Sequence, residues 1–479
     1  MSRSRWKWHR SGDDHIRQSF ATRDLLRLYN EILTTGQTDD GWHETIFCMI
    51  PKSGDLTDAS NWRPIAILPI LYKIFSRMLY DRLLPLLDAE QSEEQIGFRP
   101  GRRIDDAFVI LDSIIGKAIE FQVPLWMISL DLRKAFDRVQ YTPLFSALRD
   151  QGVPESYVSL LRALYRDQRG SVNGSKTFSI SRGVKQGDVL SPLLFNAALE
   201  AAFRNWKQKL TTHGLLLAAE AERLTNTRYA DDCMIFGKSL DEVREMTELL
   251  VEELAGLGLT LHSGKSKIFT TVQERPADVV INGEPVAVMK DTEQHRYLGR
   301  LLPGNLRSRG RVEIKHRIQA GWAKYSQHAR TSVTRKISLK LRLELFDAVV
   351  SPCVLFGLGT LPLYVDALTK LEATQRKMLR RIVGWVRDSE EPWASTMSRM
   401  KQRMETASSI RPIHGWRDRI LSARQKQCER IGNITAHDLP RLAAEWCPTA
   451  TQDMSIQSTF SRPRGRPRRR WNDDVRHVG

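Results

Sequence analysis

The apolar residues of this chain fall into short runs whose spacing switches between that of helices and that of strands. Leu25, Leu26, Leu28, Tyr29, Ile32 and Leu33 predict one short helix. Residues 45–50 predict a strand, stopped by the turn-rich Pro51-Lys52-Ser53-Gly54-Asp55. Between 67 and 87, Ile70, Ile74, Met78, Leu79 and Leu83 return at helical spacing. Leu125-Trp126-Met127-Ile128-Ser129-Leu130 is a near-continuous apolar run of strand length, the mark of a buried strand. Leu190, Leu193, Leu194, Ala197 and Leu199 predict a helix, as do Leu249, Leu250, Val251 and Leu254 within 246–257. Beyond residue 305 the spacing is helical. Ile314, Ile318, Trp322 and Tyr325 line one face, and Leu368, Leu371, Met378, Leu379 and Ile382 another.

Carboxylates interrupt this pattern at two places. The apolar run 125–130 ends directly in Asp131, and burying an unpartnered carboxylate at a strand end is costly. A hundred residues on, Asp231-Asp232 stands between Arg228-Tyr229-Ala230 and the apolar Met234-Ile235-Phe236, which reads as a hairpin with acids at its tip. Two acids at a turn, taken alone, are ordinarily a solvated turn. A divalent cation accounts for both features, because Mg²⁺ prefers hard oxygen ligands and is commonly held by one or two carboxylates plus substrate phosphates. Two such ions about 4 Å apart activate an attacking hydroxyl and stabilise a leaving pyrophosphate.

Tyr229-Ala230-Asp231-Asp232 resembles the Tyr-x-Asp-Asp signature of reverse transcriptases. The wider sequence resembles the enzymes of non-LTR (LINE-type) retrotransposons, related more distantly to group II intron reverse transcriptases. Six further matches stand in that family's order. They are Asn61-Trp62-Arg63-Pro64-Ile65, Gln95-Ile96-Gly97-Phe98-Arg99, Asp131 to Val139, Gly183 to Pro192, Gly258-Leu259-Thr260-Leu261 with Lys265, and Tyr297-Leu298-Gly299. His262 stands where the family generally has asparagine.

The resemblance implies an α+β right-hand polymerase. Its parts are an N-terminal extension (1–40), fingers (41–121), a palm of antiparallel strands and helices (122–300), a helical thumb (301–400) and a C-terminal basic region and tail (401–479). It implies RNA-templated DNA synthesis, in which a primer 3′-hydroxyl attacks the α-phosphate of a dNTP. Asp131, Asp231 and Asp232 are the implied metal ligands, with two Mg²⁺ ions expected and Mn²⁺ the alternative. Phe136, Gln186, Gly187 and Tyr229 are expected at the dNTP. A ring at Phe136 would clash with a 2′-hydroxyl and so favour DNA synthesis; the alternative is a plain core phenylalanine. Lys52, Arg63 and Arg99 are candidates for gripping triphosphate or template, against the alternative of surface salt bridges. Lys265 is expected near the departing pyrophosphate, or else in solvent. Tyr297-Leu298-Gly299 resembles a primer-gripping turn.

A formal charge of +17 over 479 residues calls for a polyanionic partner, here RNA template and DNA primer or target. Arg376, Lys377, Arg380 and Arg381 lie opposite the apolar stripe of their helix, where they would either be solvated or neutralise duplex phosphates. Arg464 and Arg466, within Arg464-Gly465-Arg466-Pro467, resemble an AT-hook core, and a nonspecific basic tail is the other reading. Five scattered cysteines with no C-x-x-C pair argue against a zinc knuckle and a disulfide framework. The apolar stretch 65–87 is broken by Lys73, Arg77, Asp81 and Arg82, so no membrane partner is expected; the nucleus is the expected compartment, with the cytoplasm, as a ribonucleoprotein, the alternative. Neither an N-terminal apurinic-type nor a C-terminal restriction-like nuclease is legible, so the chain reads as the polymerase core of a larger element, either a fragment of it or a partner of an endonuclease supplied elsewhere. The rival reading is a catalytically silent nucleic-acid-binding remnant of such an element. Intact Asp131, Asp231, Asp232, Gln186 and Phe136 argue against it.

Overall fold

The computed structural model describes residues 20–52, 55–172, 175–328, 336–435 and 437–448. The predicted nucleic-acid contacts Arg464 and Arg466 lie outside the described residues. In chain order the strands are β1 (Glu44–Pro51), β2 (Trp62–Ile67), β3 (Trp126–Leu130), β4 (Gln168–Val172), β5 (Phe178–Ile180) and β6 (Asn226–Tyr229). They continue as β7 (Asp232–Gly237), β8 (Lys267–Thr270), β9 (Asp278–Ile281), β10 (Glu284–Val288), β11 (Gln294–Tyr297) and β12 (Arg300–Pro303).

The central sheet has the order β6-β7-β3-β8-β10-β9, and β3 pairs antiparallel with both β7 and β8. Every residue of β3 is buried, which is why its sequence shows no alternation. Trp126, Ile128 and Leu130 pack into one core, with Leu194, Leu250 and Leu254 from the helices Ser191–Lys209 and Leu240–Gly256. Leu125 and Met127 pack into a second core on the other face, with Ile110, Ile114 and Tyr297. That face is covered by the helix Ile104–Phe121 and the β11–β12 hairpin. The sheet is thus sandwiched between two apolar layers, and the acid at the end of β3 is the first residue past them.

A second, four-stranded sheet has the order β2-β1-β4-β5 and joins strands from the expected fingers range to strands from the expected palm range. Residues 62–67 were legible only as a motif; they form the edge strand β2, where Pro64 is tolerated because an edge strand need not donate on both sides. The hairpin β4–β5 carries Gln168-Arg169-Gly170-Ser171, too polar to signal a strand. The helix Ile70–Ala89 connects this sheet to the central layer through Phe75, Leu79, Leu83 and Leu87.

Past β12 the described chain is helical. Arg309–Gln327, Leu339–Leu345, Ser351–Leu355 and Val365–Val383 close around Ile318, Val354, Leu371 and Met378. Residues beyond 400, expected as a basic region and tail, instead continue this body as far as Glu445. The helices Trp393–Ile410, Trp416–Asn433 and Leu439–Glu445 are folded, and Trp416 is fully buried with its Nε1 donating to Ser351 Oγ at 2.9 Å. Leu439–Glu445 then packs back on Ile104–Phe121, and Trp446 Nε1 donates to Leu216 O at 3.0 Å. The sequence hid these helices because their apolar stripes are thin: Trp416, Ile420 and Ile431 are the main buried anchors of an 18-residue helix. Among the described residues no helix is long and apolar enough to cross a membrane.

One buried carboxylate joins the sheet body to the helical body. Asp112 accepts from Arg300 Nη1 at 2.9 Å, from Arg309 Nε at 3.2 Å and from the Thr360 hydroxyl at 2.8 Å. Burial alone would raise its carboxyl, but the two guanidinium groups and the hydrogen bonds outweigh that and hold it below the usual range. Asp112→Ala would leave the two buried guanidinium groups of Arg300 and Arg309 without this counter-charge. It is expected to cost about 3 kcal/mol or more, read as a lowered urea midpoint. A loss of less than about 1 kcal/mol, from the midpoint shift multiplied by the denaturant slope, would show that the charges find other partners.

Candidate active site

β6 and β7 pair from Asn226↔Ile235 to Tyr229↔Asp232, so Ala230-Asp231 is a two-residue turn. Ala230 has φ 58° while Asp231 stays out of the positive region, the sign pattern of a II′ hairpin turn, which usually takes glycine at its first position. The register Leu130↔Cys233, carried one residue further, sets Asp131 opposite Asp232. The predicted strand end and the predicted hairpin tip are therefore brought together. Asp131 is fixed through its backbone. Its N–H donates to Ser266 Oγ at 3.1 Å, and its carbonyl accepts from His262 N–H at 2.8 Å. The segment Gly258–Lys265 is thereby sutured to the end of β3, with Leu261 bridging Leu132.

Negative charge is concentrated at this point. Burial in the cleft raises the Asp231 carboxyl; Asp131 adds to that, while its own backbone N–H and, through space, Arg63 and Lys52 pull it back. Asp232 is open to solvent along part of its surface, yet the surrounding protein, then Asp231 and Asp131, push its carboxyl up to about 7. Among the described residues no three His, Cys, Asp or Glu side chains are gathered into a ready-made metal cage.

The Gly183–Pro192 motif is tied to β2 and to the segment that follows Asp131. Gln186 O accepts from Ala66 N–H at 2.7 Å, and Gln186 Nε2 donates to Asp137 Oδ1 at 2.9 Å. Gly187, at φ 117°, is held so close to β2 that a Cβ would sit 2.9 Å from Ala66 O, so no other residue fits without movement. Lys185 and Asp188 turn the other way. Lys185 lies over the Tyr72 ring at 4.6 Å, and burial lowers its ammonium to about 8. Asp188 accepts from Ser76 and from Tyr72. Phe136 is half-buried and stacks on Phe195 at 4.4 Å between ring centroids, so part of its ring is a core contact and part stays open to solvent.

The cationic rim is partly the predicted one. Lys52, Arg63 and Lys265 are exposed and close enough to feel one another, for burial and then the like charges of Arg63, Lys265 and Lys134 lower the Lys52 ammonium. Lys134 had no signal in the sequence beyond its place between Asp131 and Phe136. Arg99 is a correction. Its guanidinium is spent on Asp88 Oδ1 (2.8 Å), Asp88 O (3.1 Å), Ser92 O (2.7 Å) and Gln95 O (3.3 Å), so it locks the end of the helix Ile70–Ala89 instead of reaching the cleft. Tyr229 lies beside Phe98, with ring centroids 6.4 Å apart. Phe98 is half exposed and has φ 59°, an outlier for a bulky residue that sequence reasoning missed. Arg376, Lys377, Arg380 and Arg381 are exposed on Val365–Val383. Arg381 lies 5.0 Å and Lys377 5.9 Å from the Trp322 ring centre, and Arg380 lies 4.4 Å from that of Trp385. The β11–β12 turn is Leu298-Gly299, both with positive φ, and Arg317 holds Gly299 O from the helical body.

Residues 50–302, more than half of the chain, match the model of the family Reverse transcriptase (RNA-dependent DNA polymerase). The chain belongs to that family. Among curated relatives of the chain, a retrovirus-related Pol polyprotein from type-1 retrotransposable element R2 of Popillia japonica is 32% identical over 240 residues, covering 48% of this chain and 33% of the relative. The RNA-directed DNA polymerase from mobile element jockey of Drosophila melanogaster is 25% identical over 437 residues, covering 88% of this chain and 45% of the relative. The chain thus spans less than half the length of these two relatives. Among solved structures, apo telomerase from Candida tropicalis aligns with 88% of this chain and 68% of its own at 12% identity and a TM-score of 0.44. The retrotransposon relationship read from the ordered motifs is borne out by these relatives.

The two arginines separate by experiment. Arg63→Ala is expected to raise the KM for dNTP at least about fivefold, roughly 1 kcal/mol, with unchanged thermal stability. Arg99→Ala is expected to cost about 1.5–3 kcal/mol of stability with KM nearly unchanged. Kinetics and melting of both variants, compared side by side, would reverse these assignments if the effects were exchanged.

Proposed function

We propose that the chain is an RNA-directed DNA polymerase that extends a primer 3′-hydroxyl with dNTPs on an RNA template. The observation that carries this reading is the β3–β7 register, which sets Asp131 beside Asp231-Asp232 at the floor of a cleft. Arg63 and Lys52 act on Asp231 through space, Lys134 and Lys265 lie near Lys52, and the Gln186-Gly187 loop is tied to Ala66 and Asp137. We place the priming nick with an endonuclease outside the described residues, and the site of action with chromosomal DNA in the nucleus.

The residues present fit divalent metal ions. They offer hard carboxylate oxygens, and burial together with mutual repulsion at Asp231 and Asp232 calls for added positive charge. Asp131 and Asp231 would hold the ions, with Asp232 in support; bound Mg²⁺ supplies charge for the attacking hydroxyl and the leaving pyrophosphate. The protein's own share is positioning and electrostatics. Gln186 and Gly187 bring backbone against the nucleotide, the cationic rim takes the triphosphate charge, and Phe136 walls the sugar. The exposed cations of Val365–Val383 bind duplex phosphates.

Asp231→Asn is expected to lower primer extension at least about a thousandfold, roughly 4 kcal/mol, while template–primer binding stays within a few-fold. Measured on an RNA template with Mg²⁺ and labelled dNTPs, near-normal extension by that variant would sink the proposal. Absence of extension by the unmodified protein would return the chain to a silent nucleic-acid-binding remnant.

Phe136→Val tests sugar choice separately. Its extension with rNTPs is expected to rise at least about tenfold relative to dNTPs, a discrimination loss of about 1.4 kcal/mol. Unchanged discrimination in a variant that still polymerises would make Phe136 a core residue only, held there by its stack on Phe195.

A further inference from the structure

The acid-bearing turn has an unusual support. Ala230 is held at positive φ, a conformation that is strained for a non-glycine residue and persists only where the surroundings impose it. The segment Ser92–Gly97 supplies that imposition. It runs parallel to β6 as an extra, unlabelled edge: Arg228 N–H donates to Glu94 O at 2.8 Å, and Ile96 N–H donates to Arg228 O at 2.8 Å. Beneath this edge Arg228 pairs with Glu200 at 2.9 Å, both buried, and also donates to Ser92 Oγ. Asn196 Nδ2 holds Gly97 O at 2.9 Å. Gly97 then lies so close to the turn that a Cβ there would be 2.4 Å from Ala230 N.

Within this frame one side chain reaches the turn itself. Gln95, fully buried, accepts at its Oε1 from Ala230 N–H at 3.1 Å and from Gly97 N–H at 3.0 Å. Ala230 N–H belongs to the peptide that enters the turn, one residue before Asp231. A buried amide without a partner is costly, so this bond is the turn's reason to keep Ala230 in its strained conformation.

We propose that Gln95 is a positioning residue for Asp231. By holding the Ala230 amide it fixes the backbone from which the Asp231 carboxylate projects, without touching substrate. This deepens the polymerase reading and rests on it for its kinetic consequence, while the clamp on the turn stands on the hydrogen bonds alone.

The test uses the full chain and two variants. Gln95→Met keeps length and apolar volume but removes the acceptor; Gln95→Glu keeps an acceptor at the same reach. Hydrogen exchange at single-residue resolution should show the Ala230 amide exchanging roughly tenfold faster in Gln95→Met, with residues 233–236 unchanged. Primer extension by that variant should fall roughly a hundredfold in kcat, with KM for dNTP and template–primer binding within about twofold. Gln95→Glu should restore Ala230 protection and most of the turnover. A merely structural Gln95 would instead show faster exchange along the whole β6–β7 ladder and a lowered melting temperature with kcat per folded molecule unchanged, which would overturn the proposal. Unchanged Ala230 exchange in Gln95→Met would overturn it as well. If the unmodified protein fails to extend primers, the polymerase reading falls, and the exchange experiment still decides whether Gln95 clamps the turn.

Discussion

The pairing of β3 with β7 is the constraint on which the site and both cores depend. Its register puts Asp131 beside Asp232, and the same register sends Ile128 and Ile235 into one core and Met127 and Met234 into the other. A slip by one residue would move each acid away from its neighbour and turn every buried side chain of the strand to the opposite layer. The ladder therefore holds like charges together with the stabilisation of two apolar layers. The site's negative potential is a load that the cores carry.

The motifs divide their labour between cleft and anchor. In Lys185-Gln186-Gly187-Asp188 the middle pair is tied to Asp137 and packed against Ala66 of β2, and the outer pair is buried against Tyr72 and Ser76. In Gln95-Ile96-Gly97-Phe98-Arg99 the arginine locks a helix end, and Gln95 and Gly97 serve the acid-bearing turn. Residue type alone does not reveal this division, because a basic side chain can serve either a polyanionic ligand or a carbonyl-lined helix terminus.

The acids, the buried strand and the hairpin were legible because each violates a strong local rule: a charge ending an apolar run, and two charges at a tip. The helices Ser191–Lys209, Arg309–Gln327 and Val365–Val383 were legible from apolar residues three and four apart. What escaped was structure made by partners distant in sequence. β2 is a strand because β1 lies beside it, and β4 because β1 pairs with it in parallel. The helices past residue 400 use few large anchors and many ionic contacts, among them Arg419 with Asp347 and Arg430 with Asp106, which leave no periodic trace. For Arg99 the sequence left ligand contact and salt bridge open for the same reason, its partners Asp88 and Ser92 being invisible as acceptors until the chain is folded.

The return of the chain's last described helix to the sheet body has a consequence for where this protein can be cut. The family match ends at residue 302, which invites a division there. The helix Ile104–Phe121, however, draws its partners from beyond that point: Arg309 and Thr360 on Asp112, Gln427 and Arg430 on Asp106, and the packed face of Leu439–Glu445. A fragment ending at 302 would keep the two buried acids and lose most of their counter-charges. Sequence homology and autonomous folding have different borders in this molecule. The smallest unit that can close its own core extends through Trp446.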